Sequence, residues 1–232
     1  MSVTLAFLAG VLAIAAWWLR HGQLMSKPWL EEGLAADLDD AAPIPTAKIG
    51  LCIFLAVVGA LFALLVSAYL MRRDMVDWRA LPTPSLLWIN TGALVLSSIA
   101  LQWAWNSARR DDIDGVRAGL LGSGVSAVVF LAGQLMAWRQ LSDAGYFLTS
   151  NPANAFFYLI TALHALHLLG GLVALARTGA RAWGRAEARD VRLSVELCTI
   201  YWHALLLIWL LLFSLLMHWV DDFVAICRQL LT

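Results

Sequence analysis

Six apolar segments, each close to the length needed to cross a bilayer, constrain this chain more than anything else in its sequence. They run Val3–Leu19, Ile49–Met71, Leu86–Trp105, Ala118–Trp138, Ala153–Ala176 and Val195–Val220. A hydrocarbon core about 30 Å thick takes roughly 20 helical residues at 1.5 Å each, and a helix satisfies its backbone polar groups internally where no water is present. The predicted fold class is therefore all-α, a polytopic transmembrane helix bundle of about six spans. Composition agrees. With 61% hydrophobic and 14% charged residues, the chain departs far from the roughly 25% charged content of a soluble domain. The first segment lacks both the basic residues before it and the small-x-small site after it that mark a signal peptide, so it reads as a helix.

The connections carry loop punctuation: Pro28, Pro43 and Pro45 after the first span, Pro82 and Pro84 before the third, and Asn151-Pro152 before the fifth. The first connection also holds Glu31, Glu32, Asp37, Asp39 and Asp40, read as a solvated linker or an acidic surface for a basic partner. Basic residues are retained on the cytoplasmic side of a membrane and so report orientation. Arg20, Lys27, Lys48, Arg109, Arg110, Arg117, Arg177, Arg181, Arg185, Arg189 and Arg192 lie in or beside the first, third and fifth connections. Arg72, Arg73, Arg79, Arg139 and Arg228 lie on the other side. That asymmetry places both termini on the non-cytoplasmic side. Trp17, Trp18, Trp78, Trp105, Trp138, Trp183 and Trp219 cluster near the proposed span ends, where an indole is half wetted. The balanced charge gives no basic surface for nucleic acid, and Cys52, Cys198 and Cys227 form neither a disulfide framework nor a thiolate metal motif.

Ionisable and polar groups are costly at membrane depth, so they are where chemistry is sought. Thr161, His164, His167 and Gly171 recur along one stripe of the fifth span, and Glu196, Thr199 and His203 along one face of the sixth. His167 lies about 14 Å and His203 about 12 Å from the cytoplasmic ends of their spans, so the two stripes can meet at similar depth. Three chemistries compete for them: haem ligation by facing imidazoles, a zinc or copper site completed by Glu196 and His203, and a proton relay through Glu196. The structural alternative is a seam of interhelical hydrogen bonds through Thr161, His164, His167, Glu196, Thr199 and His203, and it is the preferred reading. Small residues point the same way. Gly59 and Ala60, then Gly119, Gly122, Ser123, Gly124 and Ser126, then Gly170 and Gly171, are placed where helices approach closely. No phosphate loop, dinucleotide fingerprint, nucleophile elbow or HExxH motif is present, and no internal repeat of the transporter kind.

Two stretches are more specific. Phe156-Phe157 followed by Thr161-x-x-His164-x-x-His167-x-x-Gly170-Gly171 resembles the FF…TGFHGLHVxxG helix of subunit III of haem-copper respiratory oxidases. Glu196-x4-Tyr201-Trp202-His203, followed by Ile208-Trp209-Leu210-x-x-Phe213, resembles that family's final helix, and Gly50-Leu51-x-x-Phe54-Leu55-Ala56 is similar to the start of its GLxxFLASE helix. The resemblance covers about residues 48–220. It implies a five-helix core within residues 48–232, while the N-terminal transmembrane helix and acidic loop of residues 1–47 have no counterpart in the resemblance. It also implies a non-catalytic subunit that packs on subunit I beside subunit II, holds no haem, copper or other metal itself, and shelters phospholipid. The complex, in a bacterial cytoplasmic membrane, would reduce oxygen to water with electrons from cytochrome c or quinol, pump protons, and rely on this subunit for proton uptake and stable turnover. Two family carboxylates are replaced, by Val58 and by Leu206. These departures leave open a subunit-III-like partner of a nitric oxide reductase, and the intramembrane histidines leave open a membrane cytochrome with haem between them.

Overall fold

The structure, a computed structural model, describes residues 45–73, 75–79, 81–82, 84–184 and 187–217. The first expected span, the acidic loop and the chain from residue 218 onward lie outside the described residues. What is described is helical: α1 Thr46–Arg72, α2 Leu86–Arg109, α3 Ile113–Asp143, α4 Pro152–Trp183 and α5 Ala188–Leu216. All five are long and apolar enough to cross a membrane. They correspond to the second through sixth expected spans, and four of them begin before the apolar run does. The reason is local chemistry at their starts. Asp112 accepts a hydrogen bond from the Gly115 amide, Asn151 caps Ala153 with Pro152 at the first helical position, and Glu187 and Asp190 form a reciprocal capping box. Such caps fix where a helix begins regardless of where lipid ends.

The connections at residues 110–112, 144–151 and 184–187 are short, which makes consecutive helices antiparallel neighbours. Asp111 adopts a left-handed backbone at φ 57°, allowing the tight reversal from α2 to α3. Each of α2, α3, α4 and α5 packs on two of the others, α2 closing back on α5, so the four form a ring. Its core is one continuous cluster that includes Leu94, Leu101, Phe130, Phe157, Leu168, Trp202, Leu205 and Trp209. Helix α1 stands outside the ring against α4 and α5, through a separate cluster of Val58, Phe62, Tyr69, Ile160, Leu212 and Leu215. Only 11% of its apolar window is buried, against 50% for α5.

Close approach is concentrated between α2 and α3. A Cβ at Gly119 would sit 2.7 Å from the Ala100 carbonyl oxygen and 2.8 Å from the Ala104 nitrogen, backbone atoms that cannot yield. Gly171 similarly makes room for the rings of Tyr201 and Trp202. Two of the expected close contacts do not form: Gly59 and Gly170 face open space. Gly59 belongs to the loosely covered α1, and Gly170 points away from the ring while its neighbour Gly171 points in. Gly133, not anticipated, receives the Asn90 side chain.

Candidate functional site

The polar side chains inside the bundle act as stitches between helices, and four of them start from α5. Trp202 donates its indole N–H to Ser97 Oγ on α2 at 2.7 Å, and that hydroxyl donates to the Ser123 carbonyl on α3 at 2.9 Å. One buried serine thus joins three helices. A turn or two along, Trp209 donates to Thr91 Oγ1 at 2.9 Å. Thr199, whose hydroxyl bonds to its own helix at Val195, also reaches the Leu101 carbonyl on α2 at 3.3 Å. Tyr201 donates its hydroxyl to the His167 carbonyl on α4 at 2.8 Å. In lipid an unpaired polar group finds no water, so each such bond holds its helix pair in register.

The six residues expected to form a seam are distributed differently from one another. His164 is fully buried; its Nε2–H donates to the Leu205 carbonyl on α5 at 3.2 Å, and its Nδ1 has no hydrogen-bond partner. Thr161 accepts the Trp138 indole N–H from α3 at 3.1 Å. Glu196 pairs with Lys48 of α1 at 2.6 Å, both side chains partly exposed near the arginine-rich end. Thr199 goes to α2, as above. His167 and His203 each turn Nδ1 back on their own helix, to Leu163 at 2.8 Å and Thr199 at 2.7 Å. His167 also lies against Phe62 of α1, whereas His203 is exposed. Four of the six residues therefore reach four different helices, and they are not bonded to each other across a common seam.

This geometry bears on the competing chemistries. The His164 ring is enclosed by Phe62, Phe130 and Trp209, with ring centroids at 6.4, 5.6 and 5.0 Å. Those contacts leave no slot for a macrocycle at the His164 imidazole. Among the described residues no three His, Cys, Asp or Glu side chains come together as a metal site would require. Glu196 is held by a lysine at the membrane edge rather than among the histidines.

Several functional stitches escaped sequence reasoning. Asn90 on α2 donates to Gln134 on α3 across 3.4 Å, both buried, and Arg117 on α3 donates Nε–H to the Ala182 carbonyl on α4 at 2.9 Å. The signal for the first was available, since an amide inside an apolar span needs a partner. The tryptophans were harder, because an indole reads equally well as an interfacial anchor and as an interhelical donor.

Residues 75–221 match the profile of the family described as cytochrome c oxidase subunit III. The chain belongs to the cytochrome c oxidase subunit III family. It is 31% identical over 192 residues to cytochrome c oxidase subunit 3 of Thermostichus vulcanus, covering 80% of this chain and 94% of that one. It is 32% identical over 130 residues to a probable cytochrome c oxidase subunit 3 of Mycobacterium bovis, covering 54% and 62%. A heme-copper oxidase subunit I+III of Aeropyrum pernix matches 128 residues at 29% identity, covering 55% of this chain and 16% of that one. The two positions where this subunit III sequence departs from the family pattern are apolar in their surroundings as well. Val58 is almost wholly buried among Phe62, Tyr69, Ile160, Leu212 and Leu215, and Leu206 is packed against the main core. Neither position carries a titratable group, so in this subunit III neither can pass a proton.

Proposed function

We propose that this subunit III is a non-catalytic accessory subunit of a proton-pumping haem-copper terminal oxidase, packing beside subunit I and stabilising it through turnover, while the complex reduces oxygen to water. The family match over most of the bundle carries the reading. Support for subunit I as the partner comes from the Aeropyrum relative, whose name joins subunits I and III in one chain. Physical support comes from the interior. Several of its polar groups form helix–helix hydrogen bonds, while outward faces, above all that of α1, are apolar and suited to lipid or another membrane subunit. Haem and copper belong to the partner; proteins of this family hold no redox cofactor of their own. This chain assists proton uptake at the surface, because Val58 and Leu206 stand where the family carries carboxylates within its spans.

The orientation follows from charge: the end holding Arg109, Arg110, Arg117, Arg181, Arg189 and Arg192 faces the cytoplasm of a bacterial inner membrane, and both termini face away from it. Thr161, His164, His167, Glu196, Thr199 and His203 serve structure, not catalysis. Gentle detergent purification through a tag on this chain tests the proposal. Recovery of a haem- and copper-containing subunit in equal amount supports it; recovery of the chain with no redox partner, or with a nitric oxide reductase, overturns it.

A further inference from the structure

His203 is the exception on an apolar surface. In the apolar runs of the five helices, every other exposed residue among those described is aliphatic, aromatic, methionine or glycine. The only other exposed polar atoms there belong to the indoles of Trp88 and Trp103, which lie near the ends of their span. His203 lies deep instead, eight residues or about 12 Å inside the start of its apolar run at Val195. The middle of a 30 Å hydrocarbon core is about 15 Å deep. An imidazole is too short to reach the headgroups from there, and its ring is tethered besides, with Nδ1 2.7 Å from the Thr199 carbonyl oxygen. A carbonyl only accepts, so Nδ1 carries the hydrogen, and in the neutral ring Nε2 is left as a bare acceptor. No described residue bonds to that nitrogen. An acyl chain has no donor to offer it, and polar side chains within membranes are turned to a protein neighbour or a cavity for that reason.

The surroundings of His203 say what such a neighbour must carry. Arg192, Glu196, His203, Leu207 and Leu210 lie close to whole turns apart and form one stripe of α5. The stripe is bordered on one side by α2, which Thr199 reaches at the Leu101 carbonyl, and on the other by α1, whose Lys48 pairs with Glu196. Glu196 is satisfied by that pair. Arg192, exposed one turn nearer the arginine-rich end, has no ion-pair partner among the described residues. The stripe thus makes two unmet demands at a fixed spacing: a cation at the membrane border and, eleven residues or about 16 Å deeper, an acceptor near mid-membrane. Leu207 and Leu210, 60% and 44% exposed, add apolar contact beyond them.

We infer that this stripe of α5 docks a transmembrane helix of an accompanying subunit, one with a carboxylate at the border and a hydroxyl, indole or carboxylic-acid donor about 16 Å deeper. Such docking rests on the accessory role proposed above, and adds to it the face that is covered and the chemistry across from it. A phospholipid can answer Arg192 with its phosphate but has nothing to answer His203.

Photo-crosslinking in native membranes tests this, with a benzophenone residue in place of Leu207 and, as a control, in place of Val128 on the outer face of α3. Leu207 is expected to give an adduct with another membrane subunit, mapped to a helix whose carboxylate and donor are so spaced, and Val128 none with that helix. His203→Leu is expected to lower the adduct yield several-fold without lowering the unfolding temperature of the chain. His203→Gln, whose amide oxygen accepts, is expected to keep most of it, and Arg192→Gln to lower it more at low salt than at high salt. Adducts at Leu207 with lipid alone, with a second copy of this chain, or with a helix lacking the donor overturn the docking face, as does an equal yield from His203→Leu. Tag purification judges the oxidase role separately. A haem-containing subunit recovered without the Leu207 adduct keeps that role and removes this face from it, whereas the mapped adduct with no redox subunit keeps the face and removes the role.

Discussion

The four-helix ring and α1 are built from the same kind of apolar sequence, yet they are held by different means. Within the ring, backbones touch at Gly119, and buried donors on Trp202, Trp209, Thr199 and Trp138 are each committed to a partner on another helix. Helix α1 has the most hydrophobic stretch of the five and the least burial. Its attachments are mostly apolar and aromatic, with a compact cluster around Val58 and Phe62, ring contacts from Phe62 to His164 and His167 and from Phe54 to Tyr201, and the Lys48–Glu196 pair near the arginine-rich end. In water the more hydrophobic helix would be the better buried one. In lipid the rule fails, because the acyl chains outside are as apolar as any leucine inside, and association rests on shape and polar bonds. The ring is stitched by bonds between its helices; α1 presents most of its surface outward.

Substitutions can break this contrast in order of expected effect. Gly119→Val should be the most damaging, since the added carbons meet backbone of α2 that cannot move aside, and overpacking of this kind costs about 1–3 kcal/mol or more. A fall in thermal unfolding temperature in detergent checks it, and an unchanged value would show that α2 and α3 are not as close as described. Val58→Glu restores the family's usual residue in a place that is now dry. Burying even a protonated carboxyl without a partner costs on the order of 1–3 kcal/mol. The loss should fall on α1, seen as faster maleimide labelling of Cys52, which is partly accessible on that helix, with little change in the ring.

Trp202→Phe removes the donor to Ser97 while keeping an aromatic ring in place. Interhelical hydrogen bonds in membranes average about 0.6 kcal/mol and reach about 1.7, so a stability loss within that range, plus a smaller packing term, is expected by the same unfolding assay. Lys48→Met leaves a partly exposed Glu196 that water can still reach, so under about 1 kcal/mol is at stake. Faster Cys52 labelling without a shift in unfolding temperature is the expected outcome. The smallest effect concerns the loop after α1. The hydrogen bond from Arg72 holds the Asp77 carboxyl below its usual range. Its contribution is present above the ordinary carboxylate pKa and fades as pH falls through the lowered value, visible as local loosening of that loop under strong acid.

How much of this was readable beforehand differs between the fold and the site. Five spans could be placed from hydropathy alone, because a membrane helix advertises itself by length and apolarity. Their true starts at Ile113 and Ala188 lay several residues outside the apolar runs, set by capping at Asp112 and Glu187 rather than by lipid. Within the site, Thr161, His164 and Thr199 were recognisable as polar groups facing inward. Their partners were not. Helical periodicity states which face a residue occupies, but not which neighbour stands opposite or whether the bond goes to a side chain or to a carbonyl. His167 and His203 illustrate the limit: at helical spacing they look ready to face each other, but each ring nitrogen reaches its own carbonyl four residues back. Lys48 and Glu196, far apart in sequence and in different kinds of segment, offered no cue that they meet.

The central claim is that this subunit III is held together by interhelical hydrogen bonds and close packing, with redox chemistry left to its partner. The most direct test is the visible absorption spectrum of the chain after separation from any accompanying subunits, taken with a metal analysis of the same sample. The account predicts a folded, helical protein with no Soret band and no stoichiometric iron or copper. A Soret band amounting to one haem per chain would contradict it.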